Sequence, residues 1–523
     1  RQMCIRDSLE SLGLLKVDVL ALGMLTAIRR SFDALHGWDG RRLGLADIPR
    51  HCDATFAMLQ RGESLGVFQV ESRAQMNMLP RLKPRTLYDL TIQVAIVRPG
   101  PIQGGMVHPF LKARQGVAVP ELPDKPELRA VLDRTSGVPI FQEQVMQIAV
   151  VAAGFSPGEA DQVRRSMAAW KRKGGLAHFR DKLMAGMAAR GYDPAFAERI
   201  YQQILGFGAY GFPESHAASF ALLTWFSSWL KCHHPAAFFC GLINSLPMGF
   251  YPISMLVREA QRMGVQVSPV DVQHSQVDGV LVPDADGQPG IRLGLGLVDG
   301  LGRPGAERVV AARISPYRDV PTLARRAGLD TKALEALAKA DALQGLAGHR
   351  HAARWAAMER RGSGQADLFD APPPEAGHAD LHAPSEGADI VADYQSTGLS
   401  LRRHPVALLR PRLQPLGVIT NASLATVADG RSVRVSGLAM FRQRPGSAKG
   451  VMFLTLEDET GIVNLIVRPA LVDTQRAAAV AAQFVIAEGV LQRQEGIVHL
   501  MARRLHDRSR WVGELPYLSR DFH

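Results

Sequence analysis

The sequence predicts a multidomain, mainly α protein that ends in a β-barrel. Three observations carry this. The chain has 523 residues, which implies about three or four domains. Apolar residues recur at helical spacing in segment after segment between Leu20 and Leu337. Between Arg431 and Arg504 the pattern changes to five short strand-like runs. Hydrophobic residues make up 46% of the chain, enough for several cores. No apolar run reaches the roughly 18 residues of a membrane span. Lys and Arg total 61 against 50 Asp and Glu, a net charge of +11 with a pI near 9.7. That excess favours a polyanionic partner, nucleic acid first.

Arg1 to Ser8 shows no periodicity and leads abruptly into a strand pattern. These eight residues are read as an artefact, and the chain as a fragment entered in the middle of a domain. In Leu14-Leu15-Lys16-Val17-Asp18-Val19-Leu20, apolar and polar residues alternate. Lys16 and Asp18 then share one face, separated by roughly 6–7 Å of strand rise. A carboxylate beside an ammonium suits a metal–phosphate site. It equally describes a half-buried strand with two surface charges.

Leu20 to Leu35 is helical in pattern, with Leu22, Leu25, Ile28 and Phe32 on one face. A second helical region lies between Asp53 and Pro80, interrupted by Gly66-Val67-Phe68-Gln69-Val70-Glu71-Ser72-Arg73. In Arg98-Pro99-Gly100-Pro101 a stiff turn can hold one guanidinium in place, a good phosphate fork. Ser156-Pro157-Gly158-Glu159 is a capping box. The helix it starts carries Arg164 and Arg165, and Lys171, Arg172 and Lys173 follow. These cations form either a solvated face or a track for a phosphate backbone. Asp193-Pro194 opens a helix with Phe196, Ile200 and Ile204 on its inner face. A glycine–aromatic turn from Gly206 to Phe212 precedes Ser215, the expected cap of an apolar helix running to about Leu230.

Gly300-Leu301-Gly302 resembles the turn of a helix-hairpin-helix, whose backbone N–H groups can hold a DNA phosphate. Asp330 or Thr331 caps the next helix. Residues 361–393 form a linker rich in Gly, Pro, Ala and Asp. Within it, Gln365-Ala366-Asp367-Leu368-Phe369 has the anchors of a short docking peptide. Ser432 to Ala439, Gly450 to Leu456, Val463 to Val467, Phe484 to Leu491 and Ile497 to Ala502 are the strands. Asp458-Glu459-Thr460-Gly461 makes a hairpin turn, and Pro469 to Ala482 is a helical insert. Five strands with such an insert fit an OB-fold.

The four cysteines, Cys4, Cys52, Cys232 and Cys240, form no C-x-x-C pair, which fits a reduced cytoplasmic compartment. Cys232-His233-His234 with Cys240 could be forced into a zinc cluster, but the surrounding helical, apolar stretch argues against it.

Taken together, Leu15-Lys16-Val17-Asp18, Gly66 to Arg73, Arg98 to Pro101, Phe141-Gln142-Glu143-Gln144-Val145-Met146 and Tyr210-Gly211-Phe212 make a specific set. From Ser11 to His523 the chain resembles the C-terminal part of a C-family bacterial DNA polymerase, the family of the polymerase III alpha subunit. It is most similar to the error-prone, translesion branch. Pro213 to Phe220, Cys232-His233-His234-Pro235, Pro247 to Tyr251, Arg442 to Gly446 and the ending Ser519 to His523 carry that closer likeness.

The resemblance implies the end of a mixed α/β palm in residues 1–30 and a large helical fingers domain in 31–270. A helix-hairpin-helix region follows in 271–360, then the linker in 361–393. An OB-fold domain is expected in 394–508 and a tail in 509–523. It further implies template-directed nucleotidyl transfer with two Mg²⁺ ions, acting in damage-induced translesion synthesis and DNA repair. Asp18 would be a catalytic, metal-binding carboxylate. Lys16, Arg98, Arg73 and Gln69 would meet the incoming deoxynucleoside triphosphate. Ser215, His216 and Tyr210 would line its site. Arg164, Arg165, Lys171, Arg172, Lys173, Gly300 and Gly302 would hold primer-template DNA. Gln365, Leu368 and Phe369 would dock on a sliding clamp, and other translesion proteins are expected partners. No membrane is involved.

The family's paired Asp-x-Asp palm carboxylates have no counterpart here. Asp284-Ala285-Asp286 sits in a turn, and Glu457-Asp458-Glu459 at the barrel hairpin. The chain alone is therefore expected not to extend a primer. Glu214 replaces a Lys of replicative relatives, so Glu214→Lys is expected to alter nucleotide affinity or lesion bypass. The alternatives are a replicative alpha subunit, or a non-catalytic DNA-binding and clamp-tethering remnant.

Overall fold

The computed structural model describes residues 22–522 apart from 99–100, 103–104, 119–121, 169–176, 208–212, 249–251, 360–380, 445–447, 449, 495–496, 514 and 517–519. Lys16, Asp18, Lys171, Arg172, Lys173, Tyr210, Gln365, Leu368 and Phe369 therefore lie outside the described residues, as does the side chain of Arg165.

The first helix, α1 (Leu22–Asp39), extends further than its pattern predicts. Its inner face is Met24, Ala27, Ile28, Ser31 and Leu35, while Leu25 is 42% exposed. The expected face is rotated because α1 packs mainly on one later helix, which the periodicity of α1 alone cannot see. The second helical region is two helices, α2 (Asp53–Gln60) and α3 (Arg73–Leu82), flanking the Gly66–Ser72 loop. Next comes α4 (Leu87–Ile96), opened by a Thr86/Asp89 capping box.

The helices α5 (Gln142–Ala153), α6 (Pro157–Ala168), α7 (Ala177–Ala189) and α8 (Pro194–Phe207) complete this part of the core. At α6, the Glu159 carboxylate accepts from Ser156 N at 2.9 Å and Ser156 Oγ accepts from Glu159 N at 3.3 Å. On α8, Phe196, Ile200 and Ile204 are buried as expected.

The long helix α9 (Glu214–His233) has Pro213, not Ser215, at its N-cap position. Proline fixes φ where the helix needs no N–H donor, so the helix starts one residue before the expected cap. Two further helices follow, α10 (Pro235–Ile243) and α11 (Ile253–Arg262). Helix α10 lies against α1, close enough that a Cβ on Gly241 would meet Ala27 O at 2.5 Å.

A small sheet comes next: β1 (Val267–Ser268), β2 (Val280–Pro283) and β3 (Pro289–Arg292), with β3 central. Behind it stand α12 (Gly302–Ala312), α13 (Val320–Ala327), α14 (Thr331–Lys339) and α15 (Arg350–Glu359). Asp330 caps α14 by accepting from Ala333 N at 2.8 Å. One hydrophobic core runs from α1 and α10 through the small sheet to α15.

Next come α16 (Glu386–Thr397), which begins within the stretch read as linker and extends past it, and α17 (Pro405–Leu413). The buried Arg350 of α15 pairs with Asp389 and Asp393 of α16, which ties the two helices together.

The last unit is a closed five-strand barrel of β4 (Ser432–Gln443), β5 (Met452–Asp458), β6 (Gly461–Val467), β7 (Phe484–Gln494) and β8 (Ile497–Asp507). The order is β4-β5-β6-β8-β7 and back to β4, with only β6–β8 parallel. A further strand, β9 (Arg520–Phe522), pairs in parallel with β4. Strand β4 pairs with β7 through its first half and with β5 through its second. At that corner, a Cβ on Gly437 would meet Glu457 O at 2.6 Å and Glu457 N at 2.7 Å. Backbone cannot yield as a side-chain tip can. Gly437→Ala should lower stability by about 1–3 kcal/mol, read as a lower urea midpoint with an unchanged slope; an unchanged midpoint would refute the tight corner.

Among the described residues no helix is long and apolar enough to cross a membrane.

Candidate nucleotide and nucleic-acid site

A cleft of about 1660 Å³ opens between the α2–α4 region, α11 and the barrel. Gln69 and Arg73, on one loop and the helix start after it, line it together with Arg98 from beyond the next helix.

The loop carrying Gln69 is held along one face of α9. Thr224 Oγ1 donates to Phe68 O at 3.0 Å, and Phe68 N donates to Ser227 Oγ at 3.2 Å. Lys231 Nζ donates to Leu65 O at 2.9 Å. The spacing 224, 227, 231 is one helical stripe, so a single straight helix fixes three points of the loop. Gly66 sits at φ +81° and Gln69 at φ 64°. The second value is uncommon for a side chain other than glycine, Asn or Asp, and it turns Gln69 toward Arg98. Gln69 Oε1 accepts from Arg98 Nη2 at 2.6 Å, while Arg98 Nε donates to Val94 O at 3.3 Å. Gln69 and the Val94 carbonyl are thus two of the groups that orient the guanidinium.

Arg73 opens α3 just after Ser72, whose hydroxyl accepts from Gln75 N at 3.3 Å. Among the described residues Arg73 has no hydrogen bond or ion pair. Burial alone lowers its pKa to about 10. A cation desolvated without a carboxylate is destabilised until an anion arrives. Across the cleft, burial first and Arg73 second keep the His499 imidazole of β8 below its ordinary pKa.

The other expected residues fall elsewhere. Ser215 and His216, in the first turn of α9, do not line the cleft. His216 reaches it indirectly: its ring lies 4.2 Å from that of Phe220, which lies 5.1 Å from Phe68 in an edge-on contact. Glu214 turns inward, 3.0 Å from Arg134 and hydrogen-bonded by Tyr88 at 2.8 Å. Its charge is already balanced, so the expected electrostatic effect on the nucleotide site has no direct route. Glu214→Lys instead sets two cations together and should lower stability; an unchanged melting temperature would contradict this.

Arg164 pairs with Asp161 on its own helix at 2.7 Å, which favours a solvated face there. Gly300 and Gly302 have φ of +86° and +67° and are exposed, with Leu301 buried between them. The turn therefore presents backbone to solvent and anchors through one side chain.

The sequence reading missed the polar wall facing Arg73. Lys231, with a fully buried side chain, pairs with Glu259 of α11 at 2.8 Å. Glu259 also accepts from Arg262 Nε at 2.8 Å. Arg258 bridges to Glu457 of β5 and donates to Tyr394 at 2.6 Å. Arg410 of α17 grips Asp458 at 3.1 Å and Glu459 at 2.7 Å. The only signal in the sequence was the charged stripe Arg258-Glu259-Arg262 on a helix. Its partners are too distant in the chain for spacing to reveal.

The carboxylates of Glu457 to Glu459 are thus all taken by cations. Asp284 closes its own turn, accepting from Asp286 N at 2.9 Å and Gln288 N at 2.8 Å. Among the described residues no group of three His, Cys, Asp or Glu could hold a metal ion. Cys240 in particular is buried and turned to Gly279 O at 3.2 Å. The described residues therefore do not fit the implied metal ions.

Burial alone would raise the Glu457 and Glu259 pKa values, but their cations outweigh it and hold each at about 2, against an ordinary 4.5. Both folded values are depressed, so this stability is present above about pH 4.5 and is lost as pH falls toward 2. The urea midpoint should drop steadily between pH 5 and pH 3, and a flat profile there would exclude these pairs as the cause.

A cleft lined by Arg73 and Arg98, an exposed turn at Gly300 and Gly302 and a closed barrel, in a chain of net charge +11, suit a polyanionic ligand. Residues 24–191 match the bacterial DNA polymerase III alpha subunit finger domain, and residues 264–353 match the helix-hairpin-helix motif. An error-prone DNA polymerase of Alkalilimnicola ehrlichii is 57% identical over 99% of this chain, and one of Methylococcus capsulatus is 53% identical over 99%. The chain belongs to the C-family of bacterial DNA polymerases, on its error-prone branch. It spans about half the length of these relatives, 50% and 51%. Among solved structures, asparaginyl-tRNA synthetase from Pyrococcus horikoshii aligns over 17% of this chain and 22% of its own at a TM-score of 0.15, which carries no argument.

Proposed function

We propose that this chain provides the nucleotide-binding and DNA-holding parts of a template-directed, error-prone DNA polymerase acting in translesion synthesis. The observation that carries the reading is the pairing of two kinds of arginine in one cleft. Arg98 is oriented by Gln69, and Arg73 is desolvated with no ion-pair partner among the described residues. Two guanidinium forks facing one cleft suit the three charged groups of a triphosphate. The net charge of +11 and the exposed turn at Gly300 and Gly302 support a phosphodiester partner.

The five-strand barrel with its helical insert is read as an OB-fold that holds single-stranded template. Residues 1–30 are read as the end of a palm. Polymerases of this class use divalent metal ions. Mg²⁺ is the ion proposed, with Asp18 and Lys16 as this chain's contribution at the reacting end. Ser215, His216 and Tyr210 would flank the nucleotide. Arg165, Lys171, Arg172 and Lys173 would follow the duplex. Gln365, Leu368 and Phe369 would engage a sliding clamp.

The test is binding of labelled primer-template to the 523-residue chain at several salt concentrations. Affinity should fall with a log–log slope set by the number of phosphates neutralised. Salt-independent or absent binding would reject the reading. The same chain, mixed with Mg²⁺ and one labelled deoxynucleotide, should bind primer without extending it. Incorporation would show a carboxylate set within this chain.

A further inference from the structure

Away from the cleft, two thiols, an imidazole and a hydroxyl meet where α2 packs against the end of α9. Trp225 Nε1 donates to Pro49 O at 2.8 Å, and Phe56 lies 4.7 Å from the Trp225 ring. These contacts hold the segment of Cys52 on α9. Cys52 Sγ is 3.1 Å from His233 Nε2, and the same nitrogen is 3.5 Å from Thr55 Oγ1. Cys232, in the same helical turn as His233, lies close to Thr55 and Cys52. Both thiols are free and half-exposed, whereas Cys240 is buried. The Trp229 ring, 5.0 Å from that of His233, helps fix the imidazole.

The chemistry of the two thiols differs. Desolvation lowers the His233 pKa, so its ring is neutral near pH 7 and can take a proton from a thiol beside it. Burial raises the Cys232 pKa, which keeps that thiol protonated and slow to attack on its own. Cys240, pushed up to about 12 by burial, is inert. Among the described residues no metal-holding group exists to claim these ligands.

We propose that Cys52 is an oxidation site for hydroperoxides, with Cys232 as its resolving thiol and His233 as the base that activates it. The Cys52 proton passes to His233, and the sulfur attacks one peroxide oxygen. The S–O bond forms as the O–O bond breaks. The leaving hydroxide takes the proton back from His233 and departs as water. Cys52 is oxidised to a sulfenic acid while the peroxide is reduced by two electrons. The Cys232 sulfur then attacks the Cys52 sulfur. The S–S bond forms, the S–O bond breaks, and a second water leaves with the Cys232 proton. The disulfide would fasten the start of α2 to the last turn of the helix that holds the Gln69 loop.

The experiment uses the full chain with Cys4→Ser as background, exposed to stoichiometric hydrogen peroxide at pH 7. Peptide mass spectrometry should find a Cys52–Cys232 cross-link that dithiothreitol reverses. In Cys232→Ser the reaction should stop at a sulfenic acid, trapped by dimedone on Cys52. In His233→Asn, Cys52 oxidation should slow by about tenfold or more, with unchanged circular dichroism. Dimedone on other residues, cross-links only between chains, or no cross-link would each overturn the pairing. An unchanged rate in His233→Asn would overturn the base.

Discussion

On the proposed function, Arg73→Ala is expected to raise the deoxynucleoside triphosphate concentration needed for half-maximal binding by about 10- to 150-fold. That range is one charge-assisted hydrogen-bonding group, about 1.5–3 kcal/mol. Arg73 has no carboxylate partner among the described residues, and burial already lowers its pKa to about 10. Removing it therefore breaks no ion pair there and strands no carboxylate. Folding should hold or improve while nucleotide binding falls. That opposite movement distinguishes a ligand-binding arginine from a structural one. Arg73→Lys should recover part of the loss, because it restores charge but not the planar fork. Equal nucleotide affinity in Arg73→Ala and the parent would remove Arg73 from the site. Arg98→Ala should also weaken binding, and it releases Gln69 from its 2.6 Å contact.

The second large effect is at Lys231. Lys231→Met keeps the volume but removes a cation with 0% side-chain exposure, leaving Leu65 O without its donor and Glu259 with Arg262 alone. Breaking one partner of a buried pair costs about 3–5 kcal/mol. The urea midpoint should fall accordingly. Replacing both partners, as in Lys231→Met with Glu259→Gln, should cost less than the sum of the single changes. Strict additivity would mean the two side chains are not coupled. Lys231 also anchors the loop that carries Gln69, so the single variant should weaken nucleotide binding at temperatures where it remains folded.

The comparison of these two residues shows what the sequence disclosed. Arg73 and Arg98, the proposed phosphate-binding groups, stood in recognisable motifs, each at a loop or helix edge. Lys231 stood just past the end of the apolar helix read to about Leu230, with no role assigned to it. Its importance comes from Glu259 and from the carbonyl of Leu65, and neither is near it in sequence. Glu214 shows the reverse case. Its position in the motif suggested an effect on the nucleotide, but Arg134 and Tyr88 had already taken its charge.

The sequence by itself determined the helical class, the five strands, the capping box at Ser156 and a cap at Asp330 or Thr331. These depend on periods of two and 3.6 residues and on contacts within four positions. It also determined the family, through short motifs whose residues stay together in the chain. Only the tertiary structure decided that Gln69, Arg73 and Arg98 share one cleft, that the three barrel carboxylates are neutralised by Arg258 and Arg410, and that Cys52 meets His233. The physical reason is common to all three. Desolvation and ion pairing act over a few ångströms in space, and the chain brings those partners together from tens to nearly two hundred residues apart.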